Sequence, residues 1–219
     1  GSNPYYDDVN RAQLHKKICN HIDTYPVSNL EKNRLKKAFN HVDRKMFIDS
    51  PYAYHDTALK TKHGQTISQP TVVADLLVSL YLHKGLHCLD IGCGTGYTTA
   101  LIACCIGNEG SVIGIDIYED LVNTARDNTA SYPNITIYKG SKENLGWEKK
   151  GPYRRILLNA ATKTGHIDLI PQLGPDGFIV LPEGTAEACR IAIYKRTTTG
   201  LEEQEPVVNG TYSFVPLQT

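Results

Sequence analysis

The sequence predicts an α/β fold: a doubly wound, mostly parallel seven-stranded sheet preceded by an N-terminal helical extension. Three observations predict it. From Leu86 onward, short apolar runs alternate with helical stretches, the pattern of parallel βαβ units. One run, Leu89-Asp90-Ile91, ends in the glycine-rich turn Gly92-Cys93-Gly94-Thr95-Gly96, and a second ends in Asp116. The first 50 residues, by contrast, are polar and helical in character.

Each element has a local reason. Ser28-Asn29-Leu30-Glu31 is a capping box, and Leu30, Leu35, Ala38 and Phe39 form an apolar stripe behind it. Residues 51–61 are aromatic and turn-rich. Residues 70–82 carry Val72, Val73, Leu76, Leu77 and Leu80 at helical spacing, with Pro70 in the first turn, where proline is tolerated. Parallel strands are expected at 86–91, 111–116, 135–139, 154–159 and 177–182. Helices are expected at 98–106 and 119–129, with a short one at 166–171. Two β-rich runs, 189–195 and 207–215, are expected to complete the sheet as an antiparallel pair. Asn209-Gly210 lies at the entry to the last run. Glycine after asparagine leaves succinimide formation unhindered, whereas a hairpin turn there would protect it.

At 219 residues the chain is expected to form one domain, 1–219, with residues 3–60 as helical extension and substrate-side loop and 61–219 as cofactor-binding core. Gly1-Ser2 reads as a cleavage scar. Twenty-three basic residues balance 23 acidic ones, so no electrostatic footprint for nucleic acid is visible. Lys32, Arg34, Lys36 and Lys37 read as the solvated face of a helix. No apolar run approaches the length of a membrane span, and no signal peptide is apparent. The six cysteines include no C-x-x-C pair. They read as reduced thiols of a cytoplasmic protein, with no disulfide frame and no metal site. Cys93, inside the glycine turn, is the thiol expected beside a ligand.

The glycine spacing carries the chemistry. A dinucleotide fingerprint needs a third glycine at position 97, where this chain has tyrosine. G-x-G-x-G after an acidic lead-in instead looks like the first motif of S-adenosylmethionine-dependent methyltransferases. Asp116 falls where a ribose-binding carboxylate belongs, about 20 residues on.

A second motif narrows the reading. His63-Gly64-Gln65-Thr66-Ile67-Ser68-Gln69-Pro70 precedes the helix that leads to the first long strand. With Tyr54-His55-Asp56, Pro152-Tyr153, Ala160-Ala161 and Phe214-Val215-Pro216-Leu217, it makes the chain resemble the protein-L-isoaspartate (D-aspartate) O-methyltransferases from about residue 30 onward. The resemblance implies methyl transfer from S-adenosyl-L-methionine to the α-carboxylate of L-isoaspartyl residues, with D-aspartyl a further candidate, leaving S-adenosyl-L-homocysteine. The ester then collapses to a succinimide that reopens partly to aspartate. The implied partners are damaged proteins and peptides, and the implied state is a monomer.

By the same resemblance Ser68 is the catalytic residue. A carboxylate with a pKa near 3.5 needs no base at neutral pH, only orientation. A neutral hydroxyl orients it without quenching its charge. Gln65, Thr66 and Ser68 are carried over as a lid on the cofactor, with Gly92, Gly94 and Gly96 as the turn beneath it. Asp116 is assigned to the ribose. Asp90 either orders the loop or meets the cofactor's amine. Gly140 and Ser141 fall at the adenine site, where the family has Gly-Asp, and Glu143 is an alternative acceptor there. Ser68 as a mere helix cap is the bland alternative, and His55 and His63 read as structural. Other departures are Arg154-Arg155, Asn159 and Glu183. They leave two alternatives open: a carboxyl methyltransferase dedicated to one peptide, and a non-catalytic cofactor-binding relative. A nucleic-acid methyltransferase is disfavoured, because residues 159–162 read Asn-Ala-Ala-Thr instead of a base-presenting tetrad.

Overall fold

The glycine turn leaves the middle of a seven-stranded sheet. The computed structural model describes residues 3–219, so Gly1 and Ser2, read above as a scar, lie outside the described residues. A two-stranded hairpin of β1 (Leu59–Lys60) and β2 (Thr66–Ile67) precedes the main sheet. The sheet contains β3 (His87–Ile91), β4 (Ser111–Asp116), β5 (Ile135–Lys139), β6 (Tyr153–Leu158), β7 (Leu173–Gly184), β8 (Cys189–Thr197) and β9 (Gly200–Glu203). Their spatial order is β5-β4-β3-β6-β7-β8-β9. Pairings from β5 to β7 are parallel, and β8 and β9 add antiparallel. β3 and β4 are buried on both faces beyond their first residues, which is why they read as near-continuous apolar runs. The chain runs outward from β3 to β5, then returns to the other side of β3 with β6. Loops after β3 and β6 therefore diverge, opening a crevice at the carboxyl ends of the strands.

The helices are α1 (Pro4–Asp23), α2 (Asn29–His41), α3 (Pro70–Val78), α4 (Tyr97–Ile106), α5 (Glu119–Asn128) and the single-turn α6 (Gly165–Asp168). Ser28 Oγ accepts from the Glu31 N–H at 3.2 Å, as the capping box predicts. Leu30, expected in the apolar stripe, is 68% exposed. The buried face of α2 is Leu35, Ala38 and Phe39. These residues join α1, α3 and α4 in one apolar cluster, so the extension packs onto the sheet through those helices. One carboxylate stitches the same elements together. Asp75 of α3 accepts from Tyr25 Oη at 2.6 Å, Tyr212 Oη at 2.6 Å and the His21 ring at 2.8 Å.

The strand expected at 177–182 extends over Leu173–Gly184, and three further expectations change. α3 ends at Val78, not at 82, because the chain turns through Tyr81 in the left-handed region (φ 48°) to enter β3. The helix expected at 166–171 is α6 followed by a separate 3-10 turn, Ile170–Gln172. The strand expected at 207–215 does not form. β8 pairs instead with β9, and residues 207–215 cross the surface as irregular chain, touching the sheet through a single bridge between Tyr212 and Cys189. Their apolar side chains, Val207 and Phe214 among them, face the helical cluster.

Candidate active site

A cleft opens where the loops after β3, β4, β5 and β6 diverge, with about 1290 Å³ of atom-free space including its mouth. Its wall includes Gln65, Thr66, Ser68, Gly92, Gly94, Asp116, Gly140 and Ser141, so eight of the ten site residues expected from sequence meet in one place. Asp90 and Gly96 lie behind the loop.

The glycine loop is held from below. The Gly92 and Cys93 N–H groups both donate to Ile115 O at 2.9 Å, and the Gly94 N–H donates to Asp116 Oδ2 at 2.9 Å. Gly94 has φ 55°, and a Cβ there would meet nothing within 4 Å. Its backbone is therefore bare toward the cleft, as a close ligand approach requires. Gly96 has φ 96°, and a Cβ would lie 2.9 Å from Thr129 Cγ2. That glycine serves loop-to-helix packing.

Asp90 is fully buried, and burial pushes its carboxyl above the ordinary range. Three donors answer it: Thr98 Oγ1 and Thr99 Oγ1 at 2.7 Å on one oxygen, and Asn159 Nδ2 at 2.6 Å on the other. A buried carboxylate with this complement holds its neighbours in place. Asp90 thus joins the start of α4 and the end of β6 to the loop. Asp116 is also raised by burial, opposed by the N–H groups of Tyr118 and Gly94. Cys93 is buried against Val122, Ala125 and Ile137, and its thiol is raised well above its ordinary value.

On the lid side, Ser68 ends the segment that follows β2. The residue preceding α3 is Gln69, whose side chain makes no cap, and Ser68 Oγ has no hydrogen-bond partner among the described residues. The start of α3 is held instead by Asp56, which accepts from the Thr71 N–H at 3.0 Å, from Thr71 Oγ1 at 2.9 Å and from Gln69 Nε2 at 3.1 Å. His63 stacks on Tyr118 at 4.1 Å and meets Asp120 at 2.7 Å, pinning the 63–68 segment to the strand end that carries Asp116. His55 gives a backbone carbonyl, not its ring, to the site's framework.

At the far end, Ser141 Oγ donates to Glu143 Oε2 at 2.6 Å and accepts from the Glu143 N–H at 3.1 Å. The serine hydrogen is committed, and the carboxylate is the acceptor with capacity to spare. That contact also holds the Glu143 carboxyl below its ordinary range. The C-terminal residues 214–219 form another wall, fixed by Ala161 N–H to Val215 O at 2.8 Å and Leu217 N–H to Ala161 O at 2.9 Å.

Sequence reasoning missed Arg44. It is 2% exposed, and its two Nη groups donate to four carbonyls: Ala53 (3.1 Å), His55 (2.9 Å), Thr57 (2.7 Å) and Ser68 (3.2 Å). No histidine among the described residues lines the cleft. Among the described residues, no helix is long and apolar enough to cross a membrane, and no cluster of three metal-ligating side chains occurs.

Comparisons with known proteins converge. The sequence profile of the protein-L-isoaspartate(D-aspartate) O-methyltransferase family matches residues 15–219. The protein-L-isoaspartate O-methyltransferase of Methanothrix thermoacetophila is 33% identical over 196 residues, covering 87% of this chain and 90% of its own. That of Anaeromyxobacter dehalogenans is 36% identical over 195 residues, covering 86% and 90%. In structure, a protein-L-isoaspartate O-methyltransferase superposes with a TM-score of 0.78 at 22% identity, over 92% of this chain and 65% of the other. A Plasmodium falciparum beta-aspartate methyltransferase structure in complex with S-adenosyl-L-homocysteine gives 0.73 at 22% identity, over 93% and 97%.

Proposed function

Because the chain belongs to the protein-L-isoaspartate(D-aspartate) O-methyltransferase family, we propose that its cleft performs that family's reaction with Ser68 as the group that orients the substrate carboxylate. The chain is an S-adenosylmethionine-dependent enzyme that methylates isoaspartyl residues of damaged proteins, the first step of their repair. The residues present suit the cofactor: a bare backbone at Gly94, a carboxylate at Asp116 and a second carboxylate at Glu143. When bound, S-adenosylmethionine supplies an electrophilic methyl group on a sulfonium.

The protein's own part is binding and alignment. Gly92 and Gly94 admit the cofactor against the loop, and Asp116 accepts from its ribose hydroxyls. Glu143, steadied by Ser141, accepts from the adenine amine. Gln65 and Thr66 cover the methionine end. Ser68 Oγ donates to one oxygen of the substrate α-carboxylate and turns the other toward the methyl. The observation that carries this role is the uncommitted Ser68 hydroxyl on the cleft wall, with its carbonyl held by Arg44. The absence of histidine from the wall suits a nucleophile that is already ionised. A neutral donor also avoids overbinding the ground state.

The residues that motivated a dedicated peptide substrate are engaged within the fold. Asn159 donates to Asp90 and to Ile91 O, and Glu183 accepts from Arg190 at 2.9 Å and from the Tyr194 hydroxyl. General isoaspartyl recognition therefore remains the reading. We further infer a cytoplasmic monomer, a reading supported by six unpaired thiols and by the family resemblance.

The test is Ser68→Ala. Loss of one orienting hydrogen bond lowers kcat about 10- to 100-fold, roughly 1.4–2.7 kcal/mol of barrier, while the Kd for S-adenosylhomocysteine stays within about threefold. Unchanged kcat contradicts the role of Ser68.

A further inference from the structure

We propose that Arg44, with Asp56, is the positioning device that fixes Ser68 for catalysis, an inference that rests on the reading of Ser68 as the orienting group. Neither residue lines the cleft. Both act on the backbone at and just after Ser68. Arg44 holds the Ser68 carbonyl, and Asp56 holds the N–H of Thr71 and the side chain of Gln69. The two anchors, the Ser68 carbonyl and the Thr71 N–H three positions on, fix the chain on the carboxyl side of Ser68, and the pairing of Ile67 with Leu59 in the β1–β2 hairpin fixes it on the amino side, so the direction of the Ser68 side chain is set from both sides.

The character of the two anchors matters. A buried guanidinium whose Nη hydrogens all meet backbone carbonyls is a rigid planar spacer, with a fork geometry that lysine cannot copy. Three of its carbonyls come from residues 53–57 and the fourth from Ser68. Arg44 therefore locks the turn-rich substrate-side segment and the serine segment into one body. Asp56 closes the loop, since it belongs to that segment and holds the start of α3. Its side chain is 5% exposed, so water does not compete freely for these contacts. An orienting hydroxyl works only when placed within a fraction of an ångström. A displacement of about 1 Å costs on the order of 100-fold in rate.

The experiment compares Arg44→Lys, Asp56→Asn, Ser68→Ala and the double variant Arg44→Lys/Ser68→Ala. Methyl transfer to an isoaspartyl peptide is measured well below each variant's Tm, beside the calorimetric Kd for S-adenosylhomocysteine. Arg44→Lys keeps the charge but offers three N–H groups on one nitrogen. Asp56→Asn replaces an acceptor with a donor facing Gln69. Each is expected to lower kcat about 10- to 100-fold, with peptide KM and S-adenosylhomocysteine Kd within about threefold. The double variant is expected to be no slower than Ser68→Ala, because a misplaced hydroxyl and an absent one are equivalent. Losses that multiply in the double variant overturn the proposal while leaving Ser68 intact, and so does wild-type kcat in folded Arg44→Lys. If Arg44→Lys does not fold, wild-type kcat in Asp56→Asn overturns it. Wild-type kcat in Ser68→Ala removes the Ser68 reading and this inference with it.

Discussion

Two glycines two residues apart, Gly94 and Gly96, do different work, and alanine at each separates the two. At Gly96 the backbone stands at φ 96°, outside the region an L-residue adopts easily, which costs about 1–3 kcal/mol. The new methyl would sit 2.9 Å from Thr129 Cγ2 and 3.5 Å from Ala125. Thr129 is 4% exposed and its hydroxyl is bonded to Ala125 O at 2.7 Å, so it has no free direction in which to yield. Overpacking of this kind adds about 1–3 kcal/mol. The sum, about 2–6 kcal/mol, is a large share of a typical total stability of roughly 5–15 kcal/mol. For a chain of this size it lowers Tm on the order of 5–20 °C. At Gly94 the φ of 55° is the ordinary left-handed well, costing about 1–2 kcal/mol, and nothing lies within 4 Å. There the methyl projects toward ligand space, so beyond that backbone cost affinity also falls: about tenfold or more in Kd for S-adenosylhomocysteine, roughly 1.4 kcal/mol. Thermal unfolding and calorimetry on Gly94→Ala and Gly96→Ala give the four numbers. A Gly96→Ala protein as stable as wild type, or a Gly94→Ala protein with unchanged affinity, refutes the division.

Three further outcomes are expected. Glu143→Gln weakens S-adenosylhomocysteine binding more than Ser141→Ala does, because the carboxylate is the acceptor and the serine only steadies it; calorimetric Kd values in the reverse order contradict this. Burial holds the Asp90 carboxyl above its ordinary 3.8, so the folded state takes up that proton more readily than the unfolded chain. Its contribution to stability is therefore greatest below 3.8 and declines as pH rises through the folded value. Asp90→Asn, which cannot ionise, should make urea stability fall less steeply with rising pH above 4, and parallel profiles contradict that. Asn209-Gly210 lies in irregular, exposed chain, and the Gly210 N–H is not held by another backbone group. Tyr212 crowds position 210, where a Cβ would meet its ring at 2.9 Å, so a larger residue there would have to displace that ring. Peptide mapping of protein aged at 37 °C should find isoaspartate at 209, and an intact asparagine after weeks contradicts the expectation.

What the sequence disclosed followed from patterns that burial imposes. β3 and β4 are covered on both faces, so their apolar runs were visible, and the Ser28 cap has a local signature. The last strand was misplaced for the same physical reason. β9, Gly-Leu-Glu-Glu, is a half-exposed edge strand whose charged residues discourage further pairing and carry no apolar alternation. Residues 207–215 are apolar because Val207 and Phe214 pack onto the helical cluster and Tyr212 reaches Asp75, not because they pair. The cleft was legible where motifs face it. Arg44 was not, because its partners are backbone carbonyls, which leave no trace in residue identity. The Ser141–Glu143 contact was only half legible: both residues were visible, but which one presents the free acceptor depends on where a single hydroxyl hydrogen points.

The central claim is tested most directly by methyl transfer from labelled S-adenosylmethionine to two short peptides that differ only in L-isoaspartate versus aspartate at one position. Label on the isoaspartyl peptide alone, as a base-labile ester, is the predicted result. Equal labelling of both peptides, or none on either while S-adenosylhomocysteine still binds, contradicts it.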